Sequence, residues 1–337
     1  MPLPIILLGL GAAAAGIAGL KKVYNAYTTN SEADEIFKKA QAIFEQAKEE
    51  MNKAKEDTNS VLVQLGKIKL EIWARQIGRF INIFSQIRNV EVMGGPIENK
   101  LGSLDITPSE LLEMRDLSLK AAEIMTGGLV STGAGALAGV ASYGGAMMLA
   151  SASTGTAISA LSGAAATNAT LAWFGGGSLA AGGLGMAGGM VVLGGICLAP
   201  ALLVGGMLWN AKARTNYVNA QSTMAQAEKE VEKMNSAKTI LQSIRKVALE
   251  FQDLINKTDS LMTKALDKLE FGIGFGTDYN QFKEPQRQLV HLNVQFAQVM
   301  KLLLETPILK PDGSLSQDYL PVLEEGYKLL ESVKNKF

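Results

Sequence analysis

Cysteine and histidine are almost absent from this chain of 337 residues, which contains one of each, Cys197 and His291. A single cysteine cannot form a disulfide within the chain, so a disulfide-stapled extracellular fold is excluded. A metal site of clustered histidines and cysteines is excluded for the same reason. We predict that His291 is a helix residue at a packed face, and that the protein is not an enzyme and uses no cofactor.

Charge is also missing over a long stretch, because residues 124–211 contain no Asp, Glu, Lys or Arg. The 32 basic and 32 acidic residues balance, so the chain lacks the basic excess typical of nucleic-acid-binding proteins. We therefore predict no nucleic-acid partner. The sequence combines two charged arms with one long uncharged segment, and this contrast determines its predicted organisation.

The charged arms have the periodicity of long amphipathic helices, with apolar or small residues at steps of three, four or seven. In the first arm they are Ile36, Ala40, Ile43, Ala47, Met51, Ala54, Val61, Leu65, Ile68 and Ile72. In the second arm they are Met224, Val231, Met234, Leu241, Ile244, Phe251, Ile255, Met262, Leu266 and Leu269. Between Ile77 and Ile87 the apolar face widens, which predicts burial on several sides. We predict an all-α fold, an elongated bundle of long coiled-coil-like helices.

Local signals divide the chain further. Thr107-Pro108-Ser109-Glu110 has a capping residue, a proline at the first helical position and a reciprocal glutamate, so it predicts a helix start. Glycines at 272, 274 and 276 predict a loop before shorter C-terminal helices. We predict four parts: an N-terminal apolar helix or anchor (1–29), a first long helix and capped helix (30–123), a Gly/Ala-rich membrane-interacting segment (124–211), and a second long helix with a C-terminal helical bundle (212–337).

The N-terminus begins with an apolar run that is followed, not preceded, by a basic pair. A secretory signal has its positive charge before the apolar run, so we favour an uncleaved anchor or an apolar packing helix. A cleaved signal, and a polar targeting or disordered segment, remain alternatives. The candidate anchor residues are Ile5, Ile6, Leu7 and Leu8, with Lys21 and Lys22 after them.

The uncharged segment holds 21 of the 35 glycines, a composition that is unfavourable for a helix in water. Small residues four apart, including Gly135 and Gly139, then Gly185 and Gly189, match the spacing of close-packed membrane helices. Aromatic residues Trp173, Phe174 and Trp209 are candidates for a membrane interface. Candidate spans are 129–150 and 186–209, with 157–174 marginal, and we predict a central apolar helical hairpin as the head of the bundle.

Basic residues on both flanks of this segment, such as Lys120 and Lys212, favour cytoplasmic arms and an even number of crossings. Ala, Gly, Ser and Thr are only weakly apolar, however. Three states therefore stay open for the segment: permanent residence in a bilayer, conditional insertion, or a tightly packed Gly/Ala core within a soluble helical protein.

The stretch Gly163 to Gly195, GAAATNATLAWFGGGSLAAGGLGMAGGMVVLGG, resembles a glycine-zipper segment found in many uncharacterised bacterial proteins, which implies a bacterial origin. Over residues 31–270 the plan is similar to that of α-helical pore-forming toxins, in which long helices bracket an apolar head. This resemblance implies oligomerisation and insertion, although the chain lacks a convincing secretion signal.

These observations lead to one hypothesis and two alternatives. The leading hypothesis is a toxin-like, pore-forming protein that assembles as a homo-oligomer and permeabilises a lipid bilayer through residues 124–211. The first alternative is a membrane-anchored coiled-coil scaffold that binds partner proteins through its long helices without a pore. The second is a soluble helical protein with a buried Gly/Ala core. The predicted location is the bacterial inner membrane, or the cytoplasm with conditional membrane association.

Overall fold

The structure, a computed structural model, describes residues 16–90, 106–126, 134–143, 217–310 and 315–333. Within these ranges the regular elements are helices, with two isolated β-bridges between residues outside them, so the all-α prediction is confirmed. In chain order they are α1 (Gly16–Glu71), a π-helix (Ile72–Ile77), α2 (Gly78–Phe84), α3 (Pro108–Thr126), α4 (Ala134–Tyr143), α5 (Tyr217–Ile273), a 3₁₀ turn (Tyr279–Gln281), α6 (Glu284–Glu305) and α7 (Tyr319–Val333).

The start of α3 is the helix end that the sequence specifies most clearly. The Glu110 amide donates to the Thr107 hydroxyl at 3.2 Å, and the Thr107 amide donates to the Glu110 carboxylate at 2.7 Å. Two amides without intrahelical partners are thereby satisfied, with Pro108 at the first helical position. The predicted capping box is confirmed.

The described residues form two units, each with its own packing. The first contains residues 16–56 and 217–242, where α1 and α5 share a narrow core of Phe44, Ala47, Met51, Met234 and Ala237. Lys238 and Glu50 form an ion pair at 2.7 Å beside this core. The ion pair is partly exposed, and such pairs contribute little to stability. The five buried apolar side chains therefore contribute more to holding α1 and α5 together here.

The second unit contains residues 57–90, 106–126, 134–143, 243–310 and 315–333. In it the first arm and α5 run in the same direction. The side-chain amide of Gln252 donates to the Val61 carbonyl, Arg75 pairs with Asp259, and the backbone amide of Arg88 donates to the Thr277 carbonyl.

A π-helix interrupts the first arm where the sequence predicts one continuous helix. Ile72, Trp73, Gln76 and Ile77 of this π-helix are buried. The side-chain amide of Gln76 donates to the Thr263 hydroxyl at 2.9 Å. A π-turn rotates the following helix relative to the preceding one. The predicted burial on several sides after this point is confirmed, because Ile77, Phe80, Ile83, Phe84 and Ile87 are all buried.

The predicted register of the arms is right in part. The structure buries Phe37 and Phe44, whereas the predicted seam residues Ile36 and Ile43 are half-buried. Further along, Leu62 is buried in place of Val61. In α5, eight of the ten predicted seam residues, from Met234 to Leu269, are buried, and the other two are half-buried: Met234, Leu241, Ile244, Phe251, Ile255, Met262, Leu266 and Leu269, against Met224 and Val231.

The leading hypothesis, insertion of residues 124–211 to form a pore, is wrong. In the part of the chain that the structure describes, no helix is both long enough and apolar enough to cross a bilayer. Helix α4, within the candidate span 129–150, has 10 residues, against the ~20 that a crossing needs. Its side chains from Leu137 to Ser142, other than Gly139, are buried against protein. The candidate spans 157–174 and 186–209 lie outside the described residues.

Candidate functional site

The most unusual site in the second unit is where α4 docks on α1. A Cβ atom placed on Gly66 would lie 1.8 Å from the carbonyl oxygen of Leu137 and 2.6 Å from its carbonyl carbon. The two backbones therefore cross in contact, and glycine is the residue that allows this approach. Leu137, Ala138, Val140 and Ala141 are buried in the core around the crossing.

The C-terminal end of α4 is fixed by backbone hydrogen bonds to the chain after α6. The carbonyl oxygen of Ser142 accepts from the amides of Ile308 at 2.8 Å and Leu309 at 3.0 Å. Carbonyl groups in the last turn of a helix have no intrahelical partner and require another donor when they are buried. This contact supplies two donors to one such carbonyl.

Lys69 lies beneath the same helix end and is completely buried. Its Nζ donates to the carbonyl oxygens of Thr306 at 3.2 Å and Ala141 at 3.4 Å, and lies 5.3 Å from the centre of the Phe251 ring. Thr306 is the C-terminal cap of α6, and Ala141 is in the last turn of α4. The amine thus joins two helix C-termini, whose partial negative charge favours a cation.

Burial in this site lowers the pKa of Lys69 from 10.5 to about 7. Among its described contacts there is no carboxylate. Lys301 provides a contrast, because burial lowers its pKa but Glu305 at 2.8 Å and Glu113 at 3.2 Å outweigh burial, and its pKa is raised. Lys69 has carbonyl dipoles in place of carboxylates, and a neutral amine with two N–H donors matches its two acceptors.

The depressed pKa predicts a specific pH dependence of stability. Between pH 7 and 10.5 the folded chain releases the Lys69 proton while the unfolded chain retains it, so stability rises with pH in this window and the contribution is constant outside it. We expect a slope of about 1.4 kcal/mol per pH unit from this group. Urea unfolding at pH 7, 8 and 9 measures it. Because the Lys69→Met variant lacks the amine, equal slopes in both proteins would contradict the assignment.

The residues that the sequence analysis predicted as site residues do not include Gly66 or Lys69. Gly135 and Gly139 lie in α4, and Lys21 and Lys22 lie in α1. The predicted positions Ile5, Ile6, Leu7, Leu8, Trp173, Phe174, Gly185, Gly189 and Trp209 lie outside the described residues. The prediction for His291 is half right, because the residue lies in α6 but is exposed, with Nε2 3.1 Å from the Tyr279 hydroxyl.

Lys69 was missed because the predicted seam was placed one residue early at this position, although Leu65 before it and Ile72 after it are buried as predicted. Counted from the buried residues, the seam continues through Thr58, Leu62, Leu65, Lys69 and Ile72. A lysine at a core position of a coiled-coil pattern is a detectable signal, because polar residues there are costly and specify structure. The assigned seam passed through Ile68 instead, which is half-buried.

A second feature of this unit is an exposed aromatic pair at the end of α5. Phe271 is 73% exposed and Phe275 is 78% exposed, and their rings meet edge to face with centroids 5.1 Å apart. The turn that carries them is held by the Phe275 amide, which donates to the Gly272 carbonyl at 3.3 Å. The next residues are tied to the first arm, because the Tyr279 amide donates to the Arg88 carbonyl at 2.9 Å.

Neither feature has the arrangement of a catalytic centre. The Lys69 amine has no access to solvent, and no group of three His, Cys, Asp or Glu side chains in the described ranges could hold a metal ion. Together the fold and these two features define a helical bundle with a packed Gly/Ala helix and an exposed aromatic surface. No protein-family model, curated protein or solved structure matches the chain.

Proposed function

We propose that this protein is a non-catalytic helical scaffold that binds a partner protein through the exposed pair Phe271 and Phe275. The observation that supports this proposal is the pair itself, because it places two large aromatic rings in water on an otherwise charged helical surface. Exposed clustered apolar surface marks interaction sites, and aromatic residues contribute much of the binding energy at protein interfaces. The coiled-coil-like arms are the frame that carries this surface.

The pair is presented on a braced turn rather than on a free chain end. Arg79 in α2 forms ion pairs with both Asp267 and Glu270, in the last turns of α5. Arg88 donates its backbone amide to the Thr277 carbonyl at 2.7 Å, just after the pair. A surface that is ordered before binding loses less conformational entropy on association, which favours a recognition role.

The packed helix α4 supports the alternative in which the Gly/Ala-rich segment belongs to a protein core. Its backbone at Leu137 lies in contact with Gly66 of α1, and its apolar side chains join the core of the second unit. In this proposal the segment contributes to the scaffold instead of forming a pore. The partner class includes a second copy of the chain as well as a different protein.

Site-specific photo-crosslinking tests the scaffold proposal. A photoreactive phenylalanine analogue at position 275 is expected to give a discrete cross-linked protein in the producing cells, and Phe271→Ser is expected to reduce its yield at least five-fold. The matched control places the analogue at Lys264, which is exposed on α5. Equal cross-linking at positions 264 and 275, or a yield that Phe271→Ser does not alter, would contradict the proposal.

A further inference from the structure

Helix α4 is held in the second unit by its buried apolar side chains and by three further contacts. These are the backbone crossing at Gly66, the hydrogen bonds of the Ser142 carbonyl, and the bond from Lys69 to the Ala141 carbonyl. At the backbone crossing only glycine fits on α1, so Leu137 of α4 has to lie at Gly66. A shifted position would bring α1 side chains against the α4 backbone.

Lys69 differs from the other two contacts. It donates a hydrogen bond to α4, but docking of α4 also removes water from its amine, which costs free energy. Its amine is enclosed by α1, the Phe251 ring, the end of α6 and the end of α4. When α4 leaves, the side of the amine that faces Ala141 opens to water. The amine then recovers hydration that it lacks in the docked state, which no apolar residue at this position would gain.

We propose that α4 is a detachable latch: Lys69 weakens its attachment, so that α4 leaves the bundle while α1, α5 and α6 stay folded. Departure of α4 uncovers its own apolar face, formed by Leu137, Ala138, Val140 and Ala141, together with the groove at Gly66. The latch is a conformational device within the scaffold, and it does not depend on the aromatic pair. It predicts that local opening at α4 is faster than opening of the bundle core.

Thiol labelling compares the two kinds of opening directly. In a Cys197→Ser background, one protein carries Ala138→Cys, on the buried face of α4, and a second carries Ala297→Cys, in the core of α6. Both alanines are buried, so neither thiol reacts with a disulfide reagent until its surroundings open. At pH 7 we expect the α4 thiol to react at least ten-fold faster than the α6 thiol. Equal rates would overturn the proposal.

The role of Lys69 is tested by the same labelling in the Lys69→Met variant. Methionine is one heavy atom shorter than lysine and has no amine to hydrate, so we expect the α4 thiol to react at least ten-fold more slowly. The α6 thiol is expected to slow by no more than the same factor, through the rise in global stability. Faster or unchanged labelling of the α4 thiol would contradict the role of Lys69 in the latch.

Gly66→Ala provides the opposite perturbation and does not depend on the folding of the Lys69 variant. The added Cβ meets the Leu137 carbonyl, so we expect the α4 thiol to react at least ten-fold faster and to stay faster than the α6 thiol. Gly272→Ala is the matched control, because an added Cβ there has no neighbour within 4 Å. A Gly66→Ala protein with unchanged α4 labelling would refute the docking geometry on which the latch is based.

Discussion

Replacing Lys69 with methionine is expected to raise the free energy of unfolding by about 3 kcal/mol at pH 7. The depression of the Lys69 pKa from 10.5 to about 7 corresponds to an energetic penalty of about 4 to 5 kcal/mol for holding the amine in the core at this pH. Against this, the substitution leaves the carbonyl oxygens of Ala141 and Thr306 without this donor, which costs about 1 kcal/mol each at the low end of the range for an unsatisfied buried acceptor. The burial penalty is the larger quantity, so the variant gains stability.

Urea denaturation monitored by the fluorescence of Trp73, which is fully buried, measures this difference. Lys264→Met is the control, because Lys264 is an exposed lysine and its replacement is expected to change stability by less than about 0.5 kcal/mol. Destabilisation of the Lys69 variant would show that the carbonyl contacts outweigh the burial penalty. In that case Lys69 would act as a clamp on α4 instead of weakening its attachment.

Replacing Gly66 with alanine is expected to lower the free energy of unfolding by about 3 kcal/mol. On helix propensity alone this change would stabilise an α-helix by up to ~1 kcal/mol. The added Cβ, however, would lie 1.8 Å from a backbone oxygen, which cannot move aside as a flexible side chain can. Helix α4 therefore has to shift, which exposes Leu137 and Val140, each worth roughly 1.5 to 3 kcal/mol when fully buried.

The control for this prediction is Gly272→Ala, near the end of α5, which meets no neighbouring atom. Helix propensity acts there without a steric penalty, so we expect a gain of about 0.5 to 1 kcal/mol. Both variants are compared with the parent by urea unfolding at one pH. If Gly66→Ala matches the gain of Gly272→Ala, α4 does not pack against α1 in solution.

Local sequence rules predicted most of the helical fold. The capping box at Thr107 is a contact between residues three apart, so no tertiary context is needed to form it. The broad burial around Phe80 followed from a run of apolar residues that no single helix stripe can accommodate. The register of the first arm was harder, because Ile36 and Phe37, like Ile43 and Phe44, are adjacent apolar residues, and packing against α5 decides which of each pair is buried.

The π-helix and the position of Lys69 could not be read from local patterns. Nothing in IWARQI distinguishes a π-turn from an α-turn, because the extra residue is accommodated through contacts with α5, such as that of Gln76 with Thr263. The lysine signal depends on the correct seam position, and the predicted seam passed through Ile68, one residue before Lys69. Both features belong to the packing of the second unit.

The sequence by itself determined that this protein is helical, where α3 begins, and that α4 belongs to a segment without charge. It did not determine what α4 packs against, because a membrane and a protein core both exclude charge and both favour small residues where helices approach closely. The tertiary structure shows that α4 packs against protein, through contacts with two residues that are distant in sequence, Gly66 and Lys69. Gly66 provides room for its backbone, and Lys69 donates to its last turn, so α4 lies in the bundle core.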